Sequence, residues 1–240
     1  MKRPDYGLDA PPVIRNLALG AIAAAVAAMF LPWRLALFAW ASGTLCALEA
    51  VYMVWASRVG KVRQRERLLD AVDWSKVSTV LDVGCGRGLL LIGAARRLRA
   101  GGRAVGVDLW QAADLGDNRP SATTGNAALD GVSDRVRVLT GDMRQLPLPA
   151  ASVDAVISSL AIHNVPDEAG RDRAIAEIAR VLKPGGVVVI QDMRHVDRYA
   201  TQLREFGLRD TVVSGLQFRI FPPVRFLVGH QSQSADQGKA

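Results

Sequence analysis

Two long apolar stretches open the hydropathy pattern of the chain. Residues 13–31 are almost wholly apolar, Pro32-Trp33-Arg34 interrupts them, and residues 35–56 are apolar again except for Glu49. Each stretch is close to the roughly 20 residues that a helix needs to cross a bilayer. A three-residue break folds the two into an antiparallel pair. Small residues at four-residue spacing offer a seam for that pair: Gly20, Ala24 and Ala28 on the first helix, Gly43 and Ala47 on the second.

The pattern then changes. Residues 62–74 read as an amphipathic helix with Val62, Leu68, Leu69 and Val72 apolar. Beyond it short β-branched runs alternate with helical periodicity. Strands are expected at 77–83, 104–108, 136–140, 153–158 and 187–191, and helices at 89–99, 121–130 and 171–182, the last ended by Lys183-Pro-Gly-Gly186. Strict alternation implies a mostly parallel sheet with helices on both faces. Residues 211–217 and 224–229 flank Pro222-Pro223 as a closing strand pair. The expected organisation is a tail (1–12), a two-helix membrane hairpin (13–57), a basic juxtamembrane helix (58–75), an α/β domain (76–230) and a polar, disordered tail (231–240).

Charge orients the hairpin. Half of the 240 residues are hydrophobic, with the excess at the front, and the net charge is +7. Lys2, Arg3 and Arg15 flank one end of the pair and Arg58, Lys61, Arg63, Arg65 and Arg67 the other, while the turn holds Arg34 alone. Both termini and the α/β domain are therefore expected on the cytoplasmic side of a two-pass membrane protein. The alternative is a hairpin lying in one leaflet or folded onto the domain as a lid. The basic run suits anionic headgroups; it lacks the interleaved aromatics of a nucleic-acid surface. Glu49, at intramembrane depth, is either a functional carboxyl or a side chain turned to the first helix. Cys46 and Cys85 form no disulfide framework, and the scattered histidines form no metal constellation.

Candidate chemistry centres on Leu81-Asp-Val-Gly-Cys-Gly-Arg-Gly88, a strand, a glycine turn and a helix start. Gly84, Gly86 and Gly88 let backbone N–H groups approach a ligand. Asp108 ends the next strand, where a carboxylate accepts from ribose hydroxyls. A nicotinamide-dependent oxidoreductase wants the same acid but spaces its glycines G-x-G-x-x-G. Here the spacing is G-x-G-x-G, and Asp82 beside it suits a cationic sulfonium with an ammonium group better than a pyrophosphate.

With Gly106-Val-Asp-Leu-Trp110, Thr140-Gly-Asp-Met143, Ser158-Ser-Leu-Ala-Ile-His-Asn-Val165 and Arg180-Val-Leu-Lys-Pro-Gly-Gly186, these residues resemble the class I S-adenosylmethionine-dependent methyltransferases, in particular the methyltransferase-11-like group. The resemblance runs from about residue 77 to 192. It implies a Rossmann-like sheet with an antiparallel last strand, S-adenosylmethionine as cofactor, and a small-molecule methyl acceptor. It also implies roles. Gly84 and Gly86 approach the donor's methionine and ribose portions with Asp82 nearby, Asp108 takes the ribose, and Leu109 or Trp110 covers the adenine. Asp142 and Met143 contact the adenine edge, and Ser159 and Leu160 line the floor. His163 is a general base or a positioning residue, with Asn164 beside it, and Arg194, His195 and Tyr199 approach the acceptor from the opposite wall. The Asn/Asp-Pro-Pro-aromatic sequence of amine and amide methylases is replaced by Ser158-Ser-Leu-Ala161. The hairpin and its basic collar favour a lipid- or quinone-like acceptor; a soluble small molecule, a protein side chain, or a non-catalytic scaffold are the alternatives. The sequence sets no oligomeric state.

Overall fold

The computed structural model describes residues 4–111 and 118–232. The expectations for Lys2 and Arg3 and for the tail from 233 onward lie outside these residues. Helix α1 runs over Pro11–Ala28, with proline in its first turn where no intrahelical N–H is needed. After a turn, α2 covers Trp33–Trp55. No loop follows. A π-helical turn, Ala56–Gly60, joins α2 to α3, Lys61–Leu69, making one helix of 37 residues. The expected boundary at 57/58 therefore falls inside a helix, and α3 stops before residue 74. Trp74 instead opens a 3-10 turn, Trp74–Lys76, whose cap Asp73 accepts from the Ser75 N–H.

The seam between α1 and α2 alternates three- and four-residue steps. On α1 it holds Ile14, Leu17, Ala21, Ala24 and Ala28; on α2 it holds Ala36, Ala39, Gly43, Cys46, Ala50 and Met53, all buried or half-buried. This is the spacing that keeps one stripe facing a partner helix. Gly43 sets the closest approach: a Cβ there would lie 3.0 Å from the Ala24 Cβ and 3.2 Å from the Ala21 carbonyl oxygen. The expected small-residue stripe holds at Ala24, Ala28 and Gly43 and fails at Gly20, which faces open space, and at Ala47, which is exposed. A strict four-residue step drifts around the helix, whereas the 3–4 alternation does not. Large apolar residues point outward instead, among them Phe30, Phe38, Leu45 and Leu48. Glu49 is half-buried.

Seven strands form one sheet: β1 Thr79–Val83, β2 Arg103–Asp108, β3 Val136–Thr140, β4 Val153–Ser159, β5 Leu182–Asp192, β6 Leu208–Val213 and β7 Arg225–Gln231. Their order is β3-β2-β1-β4-β5-β7-β6, with β7 antiparallel to both its neighbours. Helices α4 Leu89–Arg97, α5 Pro120–Leu129, α6 Glu168–Val181 and α7 Val196–Glu205 complete the described α-helices. Because side chains alternate along a strand, Leu81, Val156 and Ile190 meet Ile175, Ile178 and Leu203 on one face. Val80, Ile157 and Val189 meet Leu68, Leu69, Leu91 and Ile92 on the other.

Three differences from the sequence reading matter. β5 starts at Leu182, which pairs with Val153 across a register shift, so Lys183-Pro-Gly-Gly186 lies within the strand rather than ending a helix. β6 lies earlier than the expected 211–217, and β7 takes in Gln231, assigned above to the tail. Helix α7 was unforeseen. It is amphipathic, burying Val196, Tyr199, Ala200 and Leu203, and this removes Tyr199 from the acceptor side: its ring is wholly buried in the core. His195, at the N-cap, and Arg194 are exposed.

Candidate active site

The sheet reverses its strand order between β1 and β4, and in open α/β sheets ligands settle outside the carboxyl ends of strands at that point. A cavity of about 570 Å³ opens there. Its walls include Asp82, Gly84, Gly86, Asp108, Leu109, Asp142, Met143, Ser159, Leu160, His163 and Asn164. Of the residues expected to serve a site, Trp110, Arg194, His195 and Tyr199 do not line it. Trp110 turns aside and donates its indole N–H to Thr140 Oγ1 at 2.9 Å.

Gly84 and Cys85 donate their N–H groups to the Val107 carbonyl at 2.8 and 3.2 Å, which fastens the glycine turn to the end of β2. Gly84 has φ +72°, and a Cβ on it would fall 2.2 Å from the Ala161 Cβ. Both the backbone and the close approach require glycine here. Asp108 accepts from the Gly86 N–H at 2.8 Å, the Trp110 N–H at 2.7 Å and the Asn118 amide at 3.2 Å, and so ties the turn to the loop after β2. Asp142 is gripped by Arg144, whose Nε stands 2.9 Å and Nη2 2.5 Å from Oδ2. That guanidinium holds the carboxyl below its usual range.

Asp82 is the electrostatic anomaly of the site. It is 2% exposed, and its Oδ2 has no hydrogen-bond partner among the described residues. Burial, with the Asp108 charge adding to it, pushes its carboxyl up to about 8. Without a cation beside it, Asp82 is therefore neutral at pH 7.

His163 and Asp192 form a pair that the sequence reading only half identified. His163 sits on the short turn Ile162–Asn164 after β4, and Asp192 ends β5. The His163 Nδ1 stands 2.6 Å from Asp192 Oδ1. Asp192 also accepts from the backbone N–H of His163 at 3.1 Å and of Met193 at 2.7 Å. These fix its carboxylate where water does not reach it.

A wall from the chain's amino-terminal segment was missed altogether. Tyr6, Asp9 and Ala10 line the cavity together with Lys61 and Arg65 of α3. Lys61 Nζ donates to the Tyr6 and Gly7 carbonyls at 2.9 and 2.6 Å and pairs with Asp9 at 3.1 Å. Asp5 exchanges backbone bonds with the Asn126 side chain at 3.0 and 2.9 Å. Lys61, Arg65 and Leu68 fall at i, i+4 and i+7, one face of a helix, and that spacing was the available signal. Below them Gln64 donates to Gln191 Oε1 at 2.8 Å, and Gln191 donates to Ser159 Oγ at 2.9 Å. Helix α3 thus reaches the cavity floor.

Comparison with known proteins agrees with this geometry. Residues 81–190 match the family model described as a methyltransferase domain. Nocamycin O-methyltransferase of Saccharothrix syringae is 38% identical over 120 residues, covering 50% of this chain and 39% of that protein. The ubiquinone/menaquinone biosynthesis C-methyltransferase UbiE of Methylobacterium nodulans is 34% identical over 155 residues, 65% of this chain and 54% of that one. The chain spans about half the length of the curated relatives it matches. Among solved structures, geranyl diphosphate methyltransferase in complex with SAM superposes with a TM-score of 0.55 at 18% identity, over 71% of this chain and 85% of that one. The [4+2]-cyclase SpnF gives 0.56 at 19% identity, over 72% and 82%. These structural likenesses establish the fold.

S-adenosylmethionine is the cofactor of such a domain, and the residues fit it on two counts. Asp82 presents a buried, unpartnered carboxyl oxygen that a ligand cation would satisfy. Gly84, on the cavity wall at φ +72° and packed against Ala161, keeps the turn's backbone bare of a side chain there.

Proposed function

Taking residues 81–190 as an S-adenosylmethionine-dependent methyltransferase domain, we propose that the chain is a membrane-anchored enzyme that methylates a small lipid- or quinone-like acceptor by in-line displacement. The hairpin α1–α2 crosses the bilayer, with both termini and the domain on the cytoplasmic side.

The inverted packing of the hairpin carries the anchoring. Ala21, Ala24, Gly43 and Ala50 lie between the helices, while Phe30 and Phe38 are 82% and 76% exposed. In water each such large side chain gains about 1.5–3 kcal/mol by burial, so a soluble pair would turn them inward. Lipid removes that drive and leaves close approach through small residues as the favoured contact.

The acceptor class rests on the cavity wall. Leu160, Ala161, Val165, Met193, Ile220 and Phe221 give it an apolar side. Phe221 also packs against Ile14, Ala50 and Met53 at the base of the hairpin. The similarity to a C-methyltransferase of ubiquinone/menaquinone biosynthesis points the same way.

When bound, S-adenosylmethionine supplies a methyl group already activated by a sulfonium. The chain's own residues then have four tasks. Asp82 holds the ammonium end, while the Gly84 and Gly86 backbone admits the ligand to the turn. Asp108 receives the ribose hydroxyls, and Leu109, Asp142 and Met143 bound the adenine. Ser159 and Leu160 form the floor, and the apolar wall excludes water and aligns the acceptor. His163 takes the proton that an acceptor hydroxyl or acidic carbon gives up, through Nε2, the ring nitrogen turned from Asp192. Asn164 lies beside it at the cavity rim.

The deciding experiment incubates the protein and radiolabelled S-adenosylmethionine with membranes and, separately, with cytosol, followed by solvent extraction. Label is expected in the solvent phase from membranes. Label confined to the aqueous or protein fraction would overturn the lipid acceptor.

A further inference from the structure

The loop between β6 and β7 touches the hairpin and the cavity at once. Tyr52, in the last turn of α2, donates its hydroxyl to the Phe218 carbonyl at 2.5 Å, and its ring meets that of Phe221 edge-on at 5.8 Å. A second clamp lies at Gly60, where a Cβ would fall 1.7 Å from the Arg219 carbonyl oxygen. Only glycine lets the loop lie on the helix backbone there. The loop is closed on itself as well: Gln217 and Val224 exchange N–H···O bonds at 2.7 and 3.1 Å. It is a defined turn that nevertheless displays Leu216 at 58% and Phe218 at 62% exposure.

The loop that carries them meets the chain at Tyr52 and at Gly60. Between those two points Val54, Trp55 and Val59 are exposed too, so the helix and the loop it touches both display apolar side chains. Arg58, Arg63 and Arg219, in the same two segments, are exposed as well. Exposed apolar side chains and arginines together, at the end of an apolar helix, match the interfacial layer of an anionic leaflet, where acyl chains meet headgroups. Two residues further on, Ile220, Phe221 and Pro222 line the cavity.

We propose that residues 215–221 are a second membrane-contacting element. They seat Leu216 and Phe218 in the interfacial layer of the leaflet at which the hairpin ends. The cavity wall of Ile220, Phe221 and Pro222 then stands beside that leaflet and receives an acceptor with an apolar chain laterally from it. This deepens the membrane reading of the hairpin and rests on it.

The test uses the full chain with Cys46→Ala, reconstituted into phosphatidylcholine–phosphatidylglycerol vesicles; Cys85 is buried and escapes labelling. Spin labels go on Phe38→Cys, Leu216→Cys, Phe218→Cys or Asp210→Cys, and each labelled protein is first shown to bind S-adenosylhomocysteine. Collisions with oxygen and with a water-soluble nickel chelate are then compared. Phe38, Leu216 and Phe218 are expected to favour oxygen, and Asp210, exposed on β6, the chelate. If the loop sites behave like Asp210 while Phe38 favours oxygen, the loop proposal falls and the hairpin stands. If Phe38 also favours the chelate, both fall. Leu216→Ser with Phe218→Ser is expected to keep S-adenosylhomocysteine affinity yet lower transfer of label into solvent-extractable membrane material several-fold. Unchanged transfer would overturn lateral delivery.

Discussion

Nδ1 of His163 lies 2.6 Å from a carboxylate oxygen of Asp192, whose side chain has no exposed surface. That contact, with the bonds Asp192 accepts from the His163 and Met193 N–H groups, holds the ring by one of its nitrogens. Asp192→Asn keeps the shape and removes the charge. It is expected to lower kcat by roughly 10²-fold, the lower end for a positioned base, with donor affinity unchanged by calorimetry. His163→Gln is expected to cost at least as much, and the double variant no more than His163→Gln alone, because the two act as a unit. Loss of donor affinity in Asp192→Asn, with kcat retained, would make the pair structural.

Asp82 ties donor binding to protons. Its carboxyl titrates at about 8 in the folded protein, against about 3.9 in an unfolded chain. The folded state therefore holds the extra proton, and stability is highest below the unfolded value and declines as pH rises toward 8. A ligand ammonium favours the ionised form, so binding at pH 7 is expected to release a proton. Calorimetry in two buffers of different ionisation enthalpy reads that release directly. Asp82→Asn should abolish it and flatten the decline of thermal midpoint between pH 5 and pH 8, a range set by the titration above. No proton release in the native protein would contradict the assignment.

The hairpin seam separates two glycines that look alike in sequence. Gly43→Leu drives a side chain into Ala24 and the Ala21 carbonyl and is expected to cost about 1–3 kcal/mol by overpacking. Gly20→Leu faces open space and is expected to cost little. Thermal midpoints in detergent micelles compare them; equal effects would remove the seam as drawn.

Topology has its own check. Trp33 is 69% exposed at the turn, and the Arg34 guanidinium lies 5.1 Å from its ring centroid, a pairing suited to a membrane surface. A cysteine in place of Arg34, again with Cys46→Ala, is expected to react with an impermeant reagent from outside the cytoplasm. Reaction from the cytoplasmic side alone would place the hairpin in one leaflet.

Much of the α/β domain was legible because its signals are local. β3 starts and ends where its β-branched run does, and the glycine turn announces itself by residue type. What escaped depends on contacts distant in sequence. Asp192 reads as one more polar residue at a strand end until β4 and β5 pair and bring it to His163. Lys61 and Arg65 were counted with a basic collar facing lipid headgroups, yet both are buried, because residues 5–9 fold back over them. That strap lies in the first ten residues, so deleting the first 56 would strip part of the cavity wall along with the anchor. Tyr199 was misplaced for want of one helix. The spacing of Val196, Tyr199, Ala200 and Leu203 carried the helical period, but Arg194 and His195 ahead of it resembled a loop.

If the hairpin spans the bilayer as proposed, the helix from Trp33 to Leu69 makes the bilayer part of the protein's frame. At about 1.5 Å per residue it is roughly 55 Å long, nearly twice the ~30 Å of a hydrocarbon core. In the proposed topology the surplus is a rigid post on the cytoplasmic side. Gln64, on that post, is hydrogen-bonded to Gln191 at the cavity floor. A thinner or thicker bilayer changes the tilt of a spanning helix. With no joint but the π-helical turn at Ala56–Gly60, that tilt is handed on to the domain as a whole. The height and angle at which the cavity meets the lipid are then set by membrane thickness as well as by the protein.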